Sequence, residues 1–246
     1  MIKGYCDPRF QKVYDIFSDA ITSGFETGAS LAIECQGEMI VNLWGGHQDA
    51  KKTKVWEEET LVNVFSVTKG VTATCISRLI DQGQLDPNKR VGHYWPEYSC
   101  NGKEDTKVSD LLCHRASMFG FKDGIPPGSF QDWDKFTHSL QIQAPYRKPG
   151  TSQGYHALTF GWLVGELIRR VDGRTVGSYF KEEIADPLNI DFHIGLAESE
   201  FERCADMLML PVENIKLPGE FLKYVPNFFL PQILKNFKAA LLLSLI

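Results

Sequence analysis

The sequence contains 246 residues, enough to bury a sizeable core as one large or two small domains. Its 26 Lys and Arg residues against 31 Asp and Glu residues give a net charge of −5, which provides no basic surface for nucleic acid. The residues after Lys3 include no long apolar stretch, so we expect no secretory signal and a cytoplasmic location. The six cysteines are scattered without paired spacing, which favours reduced thiols over a disulfide framework or a zinc site.

The first quarter of the chain predicts a helix followed by a β-hairpin. Apolar residues recur at helical spacing over residues 8–23, and Gly24 ends the pattern. Residues 30–35 and 39–44 are strand-like runs separated by Gln-Gly-Glu, which favours a hairpin between them. A charged connector then leads to residues 61–65, Leu-Val-Asn-Val-Phe, which predict another extended segment.

The rest of the chain is predicted to be mainly helical. Apolar periodicity predicts four helices and one Gly- and Pro-rich loop, namely helices at 70–81, 108–113, 156–171 and 175–184 and the loop at 114–127. Because neither a repeat nor a flexible linker interrupts the chain, we predict a single domain over residues 1–246. The fold class is predicted to be α/β (α+β), with an all-helical lobe beside an α/β layer.

This single domain is predicted to have three parts. Residues 1–66 supply the first helix and the N-terminal strands, residues 67–200 supply the central helix and the helical lobe, and residues 201–246 form an atypical tail. The tail ends in an apolar run at 239–246 that is too short to span a bilayer, so the sequence gives no firm membrane signal.

The segment Ser66-Val67-Thr68-Lys69 lies where the extended run meets the first long helix of the lobe. A serine in the first helical turn and a lysine three positions later place a hydroxyl and an amine on one face. The helix N-terminus also favours nearby negative charge. Serine needs a base to become a nucleophile, and a lysine held against it can take the proton when burial and neighbouring cations lower the amine's pKa. The pattern therefore indicates acyl transfer through a serine ester.

A second Ser-x-x-Lys, at Ser178 and Lys181, provides an internal comparison. It lies inside the predicted amphipathic helix 175–184, and no extended run leads into it. We therefore expect Ser178 to be an ordinary surface serine, which means that the tetrapeptide acquires meaning only from its context.

Five passages, in order along the chain, resemble the serine β-lactamase and penicillin-binding-protein superfamily, and within it the class C β-lactamase-like esterases. Together they are far more specific than any one of them. They are residues 41–46 (Val-Asn-Leu-Trp-Gly-Gly), 60–70 around Ser66, 91–97 ending in Tyr-Trp-Pro-Glu, 111–117 (Leu-Leu-Cys-His-Arg-Ala-Ser), and 148–158, which contains Gly-Tyr-His-Ala-Leu.

The resemblance implies a β-lactamase-like fold, an antiparallel sheet flanked by helices beside an all-helical lobe. It implies that Ser66 is the acylated serine, that Lys69 helps to deprotonate it, and that Tyr155 shuttles the proton to the leaving group. A phenol with an ordinary pKa of about 10 acts as a base only beside a cation, and Lys69 is that cation. We also predict His156 and Phe119 to contact substrate. No cofactor is needed, and the histidines lack metal-ligand spacing, so no metal site is predicted.

Two departures from the family pattern bear on function. The asparagine of the Tyr-x-Asn motif is Ala157 here, which points away from β-lactam hydrolysis and towards the esterases. The third motif, Lys or His-x-Gly on a later strand, is not found at its expected place. His193-Ile194-Gly195 and Lys148-Pro149-Gly150 match its letters but come too early in the chain. The resemblance therefore implies a C-terminally truncated chain with an incomplete sheet.

The sequence thus predicts a serine hydrolase that hydrolyses a small-molecule carboxylic ester or amide, or transfers its acyl group to another acceptor. One alternative is a catalytically inert truncated homologue that binds ligands or self-associates as a homo-oligomer through an uncovered sheet edge. Another is a β-lactamase or peptidase proper, against which Ala157 and the missing export signal count.

Overall fold

A computed structural model describes residues 1–124, 130 and 132–208 of the chain. These residues form two compact units, one of residues 1–63 with 196–208 and the other of residues within 64–195. The division at residue 63 lies close to the predicted boundary at residue 66, and the assignment of the whole chain to a single domain stays a prediction. Most of the predicted C-terminal part, from residue 209 onward, lies outside the described residues, as does part of the 114–127 loop.

The first unit contains a three-stranded antiparallel sheet of β1 (Ile2–Cys6), β2 (Gly28–Cys35) and β3 (Glu38–Gly46), with β3 in the centre. The predicted hairpin is confirmed, because β2 and β3 pair and a two-residue turn joins them. Both turn residues, Gln36 and Gly37, have positive φ, as a tight hairpin turn requires. β1 was not predicted. Its Gly4 lies opposite Leu43 at φ +103°, and a Cβ there would collide with the backbone of β3.

The predicted first helix packs on this sheet. A 3₁₀ turn at Pro8–Phe10 leads into α1 (Gln11–Thr22), close to the predicted span of 8–23. Phe17 of α1 is buried against three residues of the central strand, Ile40, Val41 and Leu43. Burial of each such side chain contributes roughly 1.5–3 kcal/mol.

The predicted extended segment at residues 61–65 forms no strand of the sheet, and its last residue departs from an extended conformation. Leu61 forms one isolated bridge, to Cys204, and residues 62–65 belong to no strand. The chain instead bends at Phe65, whose φ is +46°, and enters a helix directly. An aromatic residue in the left-handed region costs about 1–2 kcal/mol, so the bend has to be held by its surroundings.

The second unit is helical. Its helices are α2 (Val67–Asp81), α3 (Val108–Leu112), α4 (Trp133–Ile142), α5 (Thr159–Asp172), α6 (Val176–Phe180) and α7 (Asp186–Leu188), with a π-helical turn at Lys181–Ala185 between the last two. Short 3₁₀ turns lie at Val91–His93 and Pro96–Tyr98 in this unit and at Glu198–Arg203 in the first. The four predicted helices correspond to α2, α3, α5 and the α6–π–α7 run.

Helices α2 and α5 form the centre of the helical core. Cys75, Ile76 and Leu79 of α2 and Leu163 and Leu167 of α5 are all fully or almost fully buried there. α5 begins at Thr159, three residues later than predicted, and the N–H groups of Gly154 and His156 before it donate to His114. It ends at Gly173, whose φ of +93° is the left-handed conformation that favours glycine at a helix end.

Helix α4 was not predicted, although its sequence contains a start signal. The Asp132 carboxylate accepts a hydrogen bond of 3.0 Å from the Lys135 N–H, which caps the helix. Trp133, Phe136 and Leu140 follow at helical spacing, and the Phe136 ring stacks on Trp162 of α5 with centroids 3.8 Å apart. α4 therefore completes the core beside α5.

Candidate active site

Ser66 stands at the start of α2, at the point where the chain leaves the bend at Phe65. Backbone hydrogen bonds from Val67 to Val64 and from Thr68 to Phe65, of 3.2 and 3.1 Å, fix this entry. Ser66 is the N-cap residue, yet its hydroxyl makes no capping hydrogen bond to the helix. The Oγ can therefore interact with other side chains. The first N–H groups of α2, a helix of about four turns, lie next to Ser66 and favour negative charge there.

The structure brings Ser66, Lys69 and Tyr155 together. Tyr155 Oη donates to Ser66 Oγ over 2.8 Å, across 89 positions of sequence. Lys69 Nζ lies 3.2 Å from the same oxygen and 5.1 Å from the centre of the Tyr155 ring. The backbone carbonyl of Ala157 accepts a further hydrogen bond from Lys69 Nζ, at 2.8 Å. A hydroxyl, a phenol and an ammonium thus share one hydrogen-bonded cluster inside the helical unit.

The cluster lowers the pKa of the Tyr155 phenol. Partial desolvation is the largest single influence and acts to raise this pKa. The hydrogen bonds with Ser66 and Lys69 and the positive charge of Lys69 together outweigh it, so the pKa lies below its ordinary value of 10.0. Because a hydroxyl can donate or accept, the ionised phenolate would accept the Ser66 proton along the same 2.8 Å contact.

The second Ser-x-x-Lys behaves differently, as expected. Ser178 Oγ accepts a 3.0 Å hydrogen bond from Thr175 Oγ1, and Thr175 also caps α6. Lys181 Nζ pairs with both carboxylate oxygens of Asp186 at 2.7 Å. The spacing is the same as at Ser66, but the two side chains are engaged with other partners.

His156, which the sequence predicts to contact substrate, directly follows Tyr155 but is buried, and its contact with substrate stays a prediction. Its ring is fully buried, and Nε2 accepts a 3.1 Å hydrogen bond from the backbone N–H of Met118. Burial, and to a smaller extent the neighbouring His114, lower the pKa of His156 to about 4. Tyr155 beside it is 54% exposed, so the two neighbouring side chains lie in different surroundings.

Phe119 lies close to the segment that carries Tyr155 but is largely buried. Its ring stacks on Tyr146 with centroids 4.5 Å apart and covers Gly154, where an added Cβ would come within 2.8 Å of the ring. With 9% of its surface exposed, Phe119 has a packing role, and its contact with substrate stays a prediction. Residues 125–127 of the predicted 114–127 loop, which follow Phe119 in the chain, lie outside the described residues.

The two segments that match the letters of the third motif have other engagements. His193 Nε2 lies 3.0 Å from the Asp191 carboxylate. In the other segment, the Gly150 N–H donates to the Arg115 carbonyl in a turn before Tyr155.

Within the described residues, no set of three or more His, Cys, Asp and Glu side chains is grouped to hold a metal ion. No helix in the described part of the chain has the length and apolarity needed to cross a membrane.

Two contributors to the site were not identified from the sequence. One is the Ala157 carbonyl, a backbone group that the residue's letter cannot reveal. The other is His114, whose ring packs edge-on against Tyr155 with centroids 4.8 Å apart. In the sequence, His114 is marked only by its place in the family-like passage 111–117.

Comparison with known proteins gives consistent matches. The family model described as Beta-lactamase matches residues 15–225. The chain is 36% identical over 208 residues to the Esterase/beta-lactamase LipL of Mycobacterium tuberculosis, covering 84% of this chain and 48% of the relative. Among solved structures, a family VIII carboxylesterase is 42% identical with a TM-score of 0.79, covering 85% of this chain and 57% of the other.

A penicillin-binding protein homolog from Caulobacter crescentus is similar to the same extent, with 41% identity, a TM-score of 0.81, and coverage of 86% of this chain and 57% of the other. The predicted fold class is confirmed by these neighbours and by the mixture of helices with a small antiparallel sheet. The chain spans about half the length of the relatives it matches.

Proposed function

The chain belongs to the beta-lactamase family, and on that premise we propose that it is a serine hydrolase that forms an acyl-enzyme on Ser66. The observation that carries the proposal is the contact of Ser66 Oγ with Tyr155 Oη at 2.8 Å and Lys69 Nζ at 3.2 Å. A serine, a base within hydrogen-bond reach and a cation that activates the base are the parts that nucleophilic catalysis needs.

In the proposed acylation step, the Ser66 oxygen attacks the carbonyl carbon while its proton moves to the Tyr155 phenolate. Lys69 supports this transfer, because its positive charge favours the phenolate form of the neighbouring phenol. The carbonyl oxygen becomes an oxyanion beside the N-terminus of α2, where the Ser66 N–H and the helix dipole favour negative charge. Tyr155 then returns the proton to the departing alkoxide, which leaves as an alcohol.

In the deacylation step, a water molecule takes the place of the alcohol. Tyr155 accepts a proton from this water as it attacks the ester carbonyl of the acylated Ser66, and it then gives the proton to Ser66 Oγ. The products are a carboxylic acid and the regenerated serine. An alcohol or amine acceptor in place of water would give acyl transfer by the same steps.

We propose a carboxylic ester as the substrate. Position 157 has no side-chain amide, and Lys69 Nζ donates a hydrogen bond to the backbone carbonyl of Ala157 instead. A side-chain amide at this position is what the family pattern provides for β-lactam recognition, so Ala157 favours an ester. Two of the similar proteins are described as an esterase/beta-lactamase and a family VIII carboxylesterase, which supports the same choice.

The experiment is covalent labelling with a fluorophosphonate together with turnover of a short-chain nitrophenyl ester. We expect the intact mass of the chain to increase by one adduct, and Ser66→Ala to abolish both labelling and turnover. Ser178→Ala is the matched control, because it removes a serine with the same Ser-x-x-Lys spacing, and it should leave both unchanged. Persistent labelling of Ser66→Ala, or no labelling of a folded parent chain, would contradict the proposal.

A further inference from the structure

We propose that His114 is a positioning residue that holds the Tyr155 segment in register with Ser66 by accepting a backbone hydrogen bond on its ring. The inference rests on the proposed function, because positioning matters only if Tyr155 acts on Ser66. It is nevertheless carried by separate contacts, none of which involves Ser66.

His114 holds the chain on both sides of Tyr155. Its carbonyl oxygen accepts a 2.9 Å hydrogen bond from the Gly154 N–H, and its ring Nδ1 accepts a 3.1 Å hydrogen bond from the His156 N–H. Between these two anchors the ring packs edge-on against the ring of Tyr155. His114 therefore holds the residue before Tyr155, the residue after it and the Tyr155 ring itself.

The two histidines bind each other's segments reciprocally. The His114 ring accepts from the backbone of His156, and the His156 ring accepts from the backbone of Met118, four residues after His114. The rings stack with centroids 5.3 Å apart. The Met118 carbonyl also accepts a 2.6 Å hydrogen bond from Thr159 Oγ1 at the start of α5. The 114–118 and 154–159 segments are thus joined at both ends.

The contacts of His114 also affect Lys69, the third member of the site. Ala157, whose carbonyl accepts from Lys69 Nζ at 2.8 Å, directly follows His156. A shift of the 154–156 backbone would therefore displace the phenol and the acceptor of the ammonium together. Misplacement of catalytic groups by about 1 Å can reduce rates by about 10²-fold, so a residue that contacts no reacting atom can still control the rate.

Two features favour His114 for this task. It has φ +58°, in the left-handed region that few side chains adopt readily, although His, Asn and Asp are enriched there. Its Nδ1 can accept a hydrogen bond only in the neutral ring. Burial, and then the positive charge of Lys69, lower the pKa of His114 and so favour the neutral ring. The other titratable side chains whose rings pack against it are Tyr155 and His156.

The test compares His114→Asn with His114→Gly in the full chain. Asn and Gly both tolerate the left-handed backbone, and both lose the ring, but only Asn offers a side-chain acceptor one bond beyond Cγ, where the imidazole has Nδ1. The first measurement is the rate of fluorophosphonate labelling of Ser66. The second is the titration of Tyr155 by ultraviolet difference spectroscopy, with the matching Tyr155→Phe chain subtracted to remove the other tyrosines.

We expect His114→Gly to label roughly 10- to 100-fold more slowly than the parent and His114→Asn to label within about threefold of it. We also expect the pKa of Tyr155 to rise in His114→Gly, because the phenol loses its fixed contacts with Ser66 and Lys69, and to stay near the parent value in His114→Asn. Equal behaviour of the two variants in the tyrosine titration, whether both parent-like or both shifted, would overturn the inference. Because this titration needs no turnover, it decides the role of His114 even if Ser66 of the parent fails to label.

Discussion

Replacement of Tyr155 by Phe removes one oxygen atom from the proposed proton pathway and leaves the rest of the site in place. The ring that packs on His114 and lies under Lys69 is retained. Tyr155 is 54% exposed, so the loss of its hydroxyl should change the free energy of unfolding by no more than about 0.5 kcal/mol. A loss of activity in Tyr155→Phe would therefore report the chemistry and not the fold.

The expected loss follows from the geometry. A positioned general base contributes about 10²- to 10⁴-fold to the rate. The Lys69 ammonium, which donates to Ser66 Oγ over 3.2 Å, is retained and still stabilises negative charge that develops on this oxygen, so we expect the lower part of that range, a decrease of roughly 10²- to 10³-fold. This corresponds to about 3–4 kcal/mol of lost transition-state stabilisation.

The assay is the second-order rate of phosphonate labelling of Ser66, measured by intact mass across a range of pH. In the parent, the rate should rise with pH as Tyr155 loses its proton, with a midpoint below the ordinary tyrosine value of 10.0, because Ser66 and Lys69 lower this pKa against the opposing effect of desolvation. The rise should disappear in Tyr155→Phe. Tyr5→Phe, which alters a tyrosine of similar exposure in β1, should behave as the parent. A Tyr155→Phe rate within threefold of the parent with an unchanged pH profile would refute the reasoning.

Three further predictions concern stability, and urea or thermal unfolding followed by circular dichroism checks each of them. Leu163→Ala opens a cavity in the core at a residue that is 1% exposed and should lower the free energy of unfolding by roughly 2–5 kcal/mol; a loss below 1 kcal/mol would contradict the described core. Replacing a glycine within α5 and the glycine that caps its C-terminus should change the free energy of unfolding in opposite directions. Gly173→Ala, at φ +93°, should destabilise by about 1 kcal/mol, whereas Gly161→Ala, where a Cβ meets open space, should stabilise by roughly 0.4–1 kcal/mol; equal signs would contradict the geometry. The hydrogen bond from Arg174 is the main cause of the lowered pKa of Asp172, whose ordinary value is 3.8. The stability that this hydrogen bond contributes is therefore fully present above the ordinary pKa and is lost as the pH falls through the lower pKa of the folded state. Asp172→Asn should therefore be less stable than the parent at pH 7 and equal to it in strong acid, and a difference independent of pH would contradict this.

The elements that are determined by residues close together in the sequence could be predicted. The β2–β3 hairpin follows from two apolar runs joined by Gln36 and Gly37, whose positive φ values suit a tight turn. α5 follows from an apolar stripe that ends at Gly173. β1 was missed because Ile-Lys-Gly-Tyr-Cys has little apolar alternation, and its pairing depends on a strand about forty positions away.

The site was predictable only in part, for a similar reason. Ser66 and Lys69 can be paired from helical spacing, and Tyr155 was added through the family resemblance. The sequence alone could not reveal that the Ala157 backbone would hold Lys69, because every residue has a carbonyl. The burial of His156 beside the exposed Tyr155 could not be predicted either, because proximity in sequence does not place two side chains in the same surroundings.

We propose that Ser66 is the one serine in the described part of the chain that its neighbours make nucleophilic. The most direct measurement is peptide mapping by tandem mass spectrometry after limited reaction with a fluorophosphonate, with Ser66 and Ser178 quantified in the same digest. We predict a single adduct on the peptide that contains Ser66 and none on the peptide that contains Ser178. An adduct on Ser178 or another residue, with Ser66 unmodified in a folded chain, would contradict the account.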